Sequence, residues 1–179
     1  MSRIVFKAAS IALSYPQPST VEDLRPFKGT FPKLESYLET TPLAVVAAHY
    51  VETFDLRRRC CLYLTYYTHG DTRRRGLALL RFRQAYQRAG LTLTAEELPD
   101  HLAVVLEFAA FGHAEAATEL LVAHRAGLDL LWQALDGLGS PYAHAVAAVR
   151  ATLPAPGPAD LAAARALAQE GPPAELVGI

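Results

Sequence analysis

Residues 41–54 read TPLAVVAAHYVETF, and this stretch decides the fold class. Thr41 offers a capping hydroxyl, and Pro42 suits the first helical position, where a missing N–H costs nothing. Beyond them Leu43, Val46, Ala47, Tyr50, Val51 and Phe54 fall on one side of a 3.6-residue repeat. A strand would alternate with period two, and this stretch does not.

The same period extends in both directions. Towards the N-terminus it predicts a helix over Arg3 to Leu13, stopped by Ser14-Tyr15-Pro16-Gln17-Pro18, because paired prolines deny the next turn its donors. Short helices are expected from Thr20 to about Phe27 and from Pro32 to Glu39. Towards the C-terminus Asp55 is a point of kink or restart. A second apolar stripe of Leu56, Cys60, Tyr63, Leu64 and Tyr67 then reaches Thr68-His69-Gly70. Asp71 is a good N-cap for a helix to Ala89 with Phe82 and Tyr86 inside, and Gly90 is its stop. Thr94 to Glu97 has a capping-box pattern, and Pro99-Asp100 restarts the chain as a helix over Leu102, Val105 and Leu106. Gly112 separates that helix from one ending near Gly127. Leu128, Leu131, Trp132, Leu135 and Leu138 make a strong amphipathic set, and Tyr142 to Leu153 make another. Pro154-Ala155-Pro156-Gly157-Pro158 cannot continue a helix, so the alanine-rich Leu161 to Ala168 is a separate, weaker element. The expected architecture is all-α: one helical bundle over residues 1–170 and a loose tail over 171–179.

Bulk properties narrow the function classes. The 179 residues and 19.4 kDa are enough for one core without disulfides or metals. Although 51% of residues are hydrophobic, every apolar run breaks before the roughly 18 residues that suggest a membrane span. The N-terminal stretch is interrupted by Lys7 and lacks a clean cleavage signal, so it reads as the first helix and not as a leader. Cys60 and Cys61 are adjacent, which does not suit the geometry of a structural disulfide; a reducing compartment fits. Flanking arginines could lower the pKa of whichever thiol is exposed. Net charge is −1, unevenly spread. Residues 57–88 carry nine arginines against Asp71 alone, whereas residues 89–179 carry three positive and eleven negative charges, which bears on how partners are oriented.

Signals for catalysis are weak. A glycine-rich phosphate loop, a zinc-binding histidine run and a nucleophile elbow are all missing, and the cysteine pair lacks nearby soft co-ligands. No metal and no cofactor is expected. His69 and Asp71 could orient each other across Gly70, yet hydrolysis would also need a nucleophile and an oxyanion hole; a helix stop followed by an Asp cap explains them more simply. Glu97 and Asp100 are explained as caps. His101, one residue inside a helix beginning at Asp100, is the least explained.

The runs Leu13-Ser14-Tyr15-Pro16, Tyr50-Val51-Glu52-Thr53-Phe54-Asp55, Tyr63 to Gly76 (YLTYYTHGDTRRRG), Tyr86-Gln87-Arg88-Ala89-Gly90 and Glu97-Leu98-Pro99-Asp100-His101-Leu102 together resemble a NarJ-type assembly chaperone for respiratory nitrate reductase, within the wider TorD/DmsD/NarJ group of redox-enzyme maturation proteins. The resemblance covers about residues 10–110. It implies a bundle-like fold that binds the N-terminal segment of the nitrate reductase catalytic subunit in the cytoplasm and holds it for molybdenum cofactor insertion.

In physical terms, an amphipathic peptide lays its apolar side in a groove between helices while polar rim residues set its direction. Tyr50, Phe54, Tyr63, Tyr66 and Tyr67 form a dense aromatic supply for such a groove. Tyr66, which lies off the stripe, is the preferred exposed anchor. Arg59, Arg73 and Arg74, with His69 and Asp71, are candidates for the polar contacts, and Asp100 and His101 for a pivot that tunes groove opening. The rival reading is a helical regulatory module that binds nucleic acid through the arginine-rich segment 57–88, with tyrosines stacking on bases.

Overall fold

The computed structural model describes residues 2–94 and 97–171. Eleven α-helices are present among them: α1 Ser2–Ala12, α2 Thr20–Leu24, α3 Pro32–Thr40, α4 Leu43–Tyr50, α5 Leu64–His69, α6 Arg75–Arg88, α7 Leu102–Phe108, α8 Ala114–Ala123, α9 Arg125–Gly137, α10 Ala143–Thr152 and α11 Pro158–Glu170. No strand forms among the described residues, and a single antiparallel bridge joins Tyr63 to His101. The all-α expectation holds. None of these helices is long and apolar enough to cross a membrane. The capping-box residues Ala95 and Glu96, and the tail beyond Gly171, lie outside the described residues.

α1 packs on α7 and α10, and α9 runs between α5, α10 and α11. Phe6, Leu13, Leu34, Phe82, Leu106, Leu128 and Leu131 are among the sealed side chains of one continuous core. On α9, Leu128, Leu131 and Leu135 recur at the helical period and all face inwards. An aromatic knot closes the other side. Tyr50 lies 4.7 Å from Phe54, Phe54 lies 5.0 Å from Tyr142, and the Tyr50 hydroxyl donates to the Leu13 carbonyl at 2.9 Å. The fixed end of α1 is thereby tied to α4.

Several boundaries differ from those read in the sequence. Thr41 makes no capping bond, and Pro42 itself is the N-cap of α4. After α4 the helix widens into a π-turn over Val51–Asp55, with the Leu56 N–H donating to the Val51 carbonyl. The expected second stripe then fails. Leu56 is 71% exposed, and the chain passes through a 3₁₀ turn at Arg58–Cys60 before α5 begins. The extended stretch is held from across the fold, since Leu102 N–H donates to Leu62 C=O at 2.8 Å and Leu64 N–H to Asp100 C=O at 3.1 Å. Gly127 lies inside α9 and does not end α8, which stops at Ala123.

Candidate functional site

The two sequence runs that stood out, around His69–Gly76 and Leu98–Leu102, meet in space. Asp100 is 0% exposed, and its Oδ2 accepts from the Thr65 N–H at 3.0 Å and the Thr65 hydroxyl at 2.6 Å. Arg75 reaches in from α6: its Nε donates to Thr65 Oγ1 at 3.1 Å, and Nη2 stands 3.7 Å from Asp100 Oδ2. The guanidinium also lies over the Tyr63 ring, 5.6 Å from its centroid. Tyr63 in turn meets the His101 ring edge-on at 5.1 Å and donates its hydroxyl to Glu97 Oε1 at 2.8 Å. On the other flank the Tyr86 hydroxyl donates to Pro99 C=O at 2.7 Å. These contacts bind α5, α6 and the start of α7 into one polar latch.

His101 is the N-cap of α7, not its first helical residue: its Nδ1 accepts the Ala103 N–H at 3.2 Å. Burial holds the imidazole below the ordinary histidine value, against the opposing pull of Glu97 and Asp100. An acceptor at Nδ1 belongs to the neutral ring, the form that burial favours. Burial likewise raises the Tyr63 hydroxyl, helped by its bond to Glu97, and pushes the Cys61 thiol up to about 11 despite nearby Arg75. Cys60 is also raised by burial. Cys60 is a buried packing residue and Cys61 its half-buried neighbour, and at both thiols desolvation outweighs the nearby guanidinium.

Beside the latch, between the 3₁₀ turn, α5, α9 and α11, opens a cleft of about 540 Å³. Arg58, Arg59 and Tyr66 border one side; Leu130, Gln133 and Ala134 of α9 form its floor. Tyr66 is half-buried. Its neighbour Tyr67 is 3% exposed and donates to the carbonyls of Arg59 at 3.1 Å and Cys61 at 2.9 Å, which fixes the turn carrying the arginines. Close approach of α9 requires Gly127, since a Cβ there would stand 2.8 Å from Tyr67 Cβ, Cγ and Cδ2.

A family model described as nitrate reductase delta subunit matches residues 22–148. The chain belongs to the nitrate reductase delta subunit family. Among relatives, "Nitrate reductase-like protein NarX" of Mycobacterium tuberculosis is 42% identical over 82% of this chain, although the chain spans only 24% of that protein. "Probable nitrate reductase molybdenum cofactor assembly chaperone NarJ" of Bacillus subtilis is 33% identical, covering 84% of this chain and 89% of its own length. A crystal structure of a putative redox enzyme maturation protein from Archaeoglobus fulgidus has the same fold, with a TM-score of 0.65 at 23% identity over 84% of this chain and 92% of that one.

Within this member of the family, the sequence-nominated residues do not gather at one place. Tyr66 and Arg59 border the cleft, and Tyr67 backs it. Tyr50 and Phe54 sit in the core, at 5% and 6% exposure. The expectation that they line an open groove is corrected, because the π-turn stacks them onto Tyr142. Asp100 is sealed in the latch with Tyr63 and His101 around it. His69 does not meet Asp71: its Nδ1 pairs with Thr68 Oγ1 at 2.7 Å, while Asp71 stands 3.5 Å from Arg75. Nor does Asp71 cap α6, whose N-cap is Arg74. Arg73 and Arg74 are exposed and are not among the residues that line the cleft. Among the described residues no group of three or more His, Cys, Asp or Glu is placed to hold a metal. Reading the sequence missed Thr65, Arg75 and Gly127. Arg75 could have been found, for it alone of its triplet stands four residues after Asp71, the spacing at which such a pair meets within one turn.

Proposed function

We propose that this chain is an assembly chaperone that binds the N-terminal segment of a nitrate reductase catalytic subunit in the cytoplasm and holds it while the molybdenum cofactor is inserted. The observation that carries this reading is the cleft between α5 and α9, with Tyr66 on its wall, leucine and alanine on its floor and two arginines on its rim. A helical peptide of the incoming subunit would bury its apolar side there, and Arg58 and Arg59 would pair with its carbonyls or carboxylates. Membership of the family and likeness to the Bacillus subtilis relative support the identity of the client. The role proposed is binding and not catalysis, with the latch serving to position the cleft wall.

Calorimetry with a synthetic peptide matching the start of the catalytic subunit tests this reading: saturable one-to-one binding is expected. Tyr66→Ala should weaken it by about 1 kcal/mol or more, the order expected for a truncated aromatic anchor, with unfolding stability nearly unchanged. Loss of stability without loss of affinity would place Tyr66 in the core and refute its role. Single- or double-stranded nucleic acid bound with a steep salt slope, in place of the peptide, would favour a regulatory module acting through the exposed arginines.

A further inference from the structure

α11 (Pro158–Glu170) is the one α-helix among the described residues with no buried residue. It nevertheless lies along α9, and its last turn supplies Leu167 and Ala168 to the cleft opposite Tyr66. Its backbone runs close along α9, but its side chains bury little. Leu167 packs half-buried against the core, Ala164 shares that inward face, and Leu161 stands 46% exposed. A helix of this length has little stability of its own in water, so its hold on the cleft rests mainly on one leucine. The link before it, Pro154 to Gly157, is not helical, and it is tethered at one end where Arg125 Nη1 donates to the Pro154 carbonyl. α11 can therefore leave α9 as a unit without unwinding α10.

Resting on the client-binding reading above, we propose that α11 is a displaceable occupant of the cleft, and that the client helix takes its place on α9. The inward face of α11 offers alanine and one leucine where a helix groove takes anchors at i, i+3 or i+4, and i+7. A client that outcompetes it carries larger apolar side chains, such as Leu, Ile, Met or Phe, at the positions α11 fills with alanine. Because only the fraction of molecules with α11 undocked binds, apparent affinity is reduced by that fraction.

Amide hydrogen exchange on the full chain tests this directly, using the synthetic catalytic-subunit peptide. On adding peptide, amides of residues 158–170 should exchange faster while those around Leu130 and Tyr66 slow. In the full-length Leu167→Glu variant, exchange at 158–170 should be fast without peptide, and the peptide should bind about tenfold tighter. Ala168→Leu, which fills the cleft from the α11 side, should bind it more weakly. Slower exchange in α11 on binding, or weaker binding by Leu167→Glu, would make α11 a permanent wall of the cleft and overturn the proposal. An unchanged α11 in Leu167→Glu would overturn it as well. If the peptide binds neither protein, the client assignment fails separately. An apolar fluorescent dye then decides the cover: greater uptake by Leu167→Glu than by the unaltered chain keeps it, and equal uptake removes it.

Discussion

Gly127→Ala sets two well-known effects against each other at one atom. Within a helix, alanine is favoured over glycine by about 1 kcal/mol, so the bland expectation for a glycine inside α9 is stabilisation. Here the added methyl would stand 2.8 Å from three atoms of Tyr67, Cβ, Cγ and Cδ2, inside van der Waals contact. The near end of that side chain cannot swing away, because Tyr67 is 3% exposed and its hydroxyl is held by two carbonyls. Relief requires α5 and α9 to separate or the ring to leave its rotamer, and such overpacking costs about 1–3 kcal/mol. The net result is destabilisation of up to about 2 kcal/mol in urea unfolding. Gly76→Ala is the control: it is near the start of α6 with nothing within 4 Å of the new Cβ, and should be neutral to slightly stabilising. Combining Gly127→Ala with Tyr67→Ala should recover part of the Gly127→Ala cost, since the collision partner is gone. If Gly127→Ala stabilises the protein by the helix-propensity amount, the proposed tight approach of α5 to α9 is wrong.

The latch predicts that Asp100→Ala costs about 3–4 kcal/mol, because it strands the buried Thr65 donors and leaves Arg75 unpaired there. Thr65→Val should cost about 1–2 kcal/mol, and the double variant should lose at least about 1 kcal/mol less than the sum, read from a urea double-mutant cycle. His101 and His124 are both held below the ordinary histidine value by burial. The unfolded chain therefore takes up protons first as pH falls below about 6.5, and stability should drop from pH 7 towards 5 by up to about 1.4 kcal/mol per pH unit for each histidine. His101→Asn, which keeps a capping acceptor, should remove one histidine's share of that slope in unfolding curves at pH 5, 6 and 7. Arg58→Gln with Arg59→Gln should slow peptide association several-fold at low salt and leave dissociation nearly unchanged, as rim charges do; stopped-flow traces in which dissociation changes instead would make them buried contacts.

The helices were legible because their signal is local. The 3.6-residue period and the proline breaks placed α1, α3, α4, α9 and α10 within a residue or a few of where they lie, and Gly90 and Gly112 take the positive φ their roles require. What failed were elements whose conformation is set from a distance. Residues 56–63 have helical spacing, yet they break into a 3₁₀ turn at Arg58–Cys60 and an extended segment over 61–63, which the bonds from Leu64 and Leu102 to Asp100 and Leu62 hold in place. Asp71 and Asp100 look like caps from their neighbours alone, but Asp71 turns to Arg75 while Asp100 turns to Thr65, 35 residues earlier. Tyr66, expected to be exposed, is half-buried on the cleft wall. By contrast the sealing of Tyr50 and Phe54 depends on Tyr142, almost ninety residues further along, and no local pattern carries that.

The division between latch and cleft changes what a loss-of-binding variant means. Tyr63, Thr65, Arg75, Asp100 and His101 are linked by contacts whose removal loosens α5 against α7, and α5 carries Tyr66 on the cleft wall. Substitutions there act on the peptide through the position of the wall, so their effects on affinity should scale with their effects on stability. Arg58, Arg59 and Tyr66 are exposed or half-buried at the cleft itself, and substitutions there act on the peptide without passing through the fold. Of the two most distinctive runs of this sequence, Leu-Pro-Asp-His-Leu supplies Asp100 and His101 to the first set, whereas His-Gly-Asp-Thr-Arg lies beside it and joins it only through Asp71, 3.5 Å from Arg75.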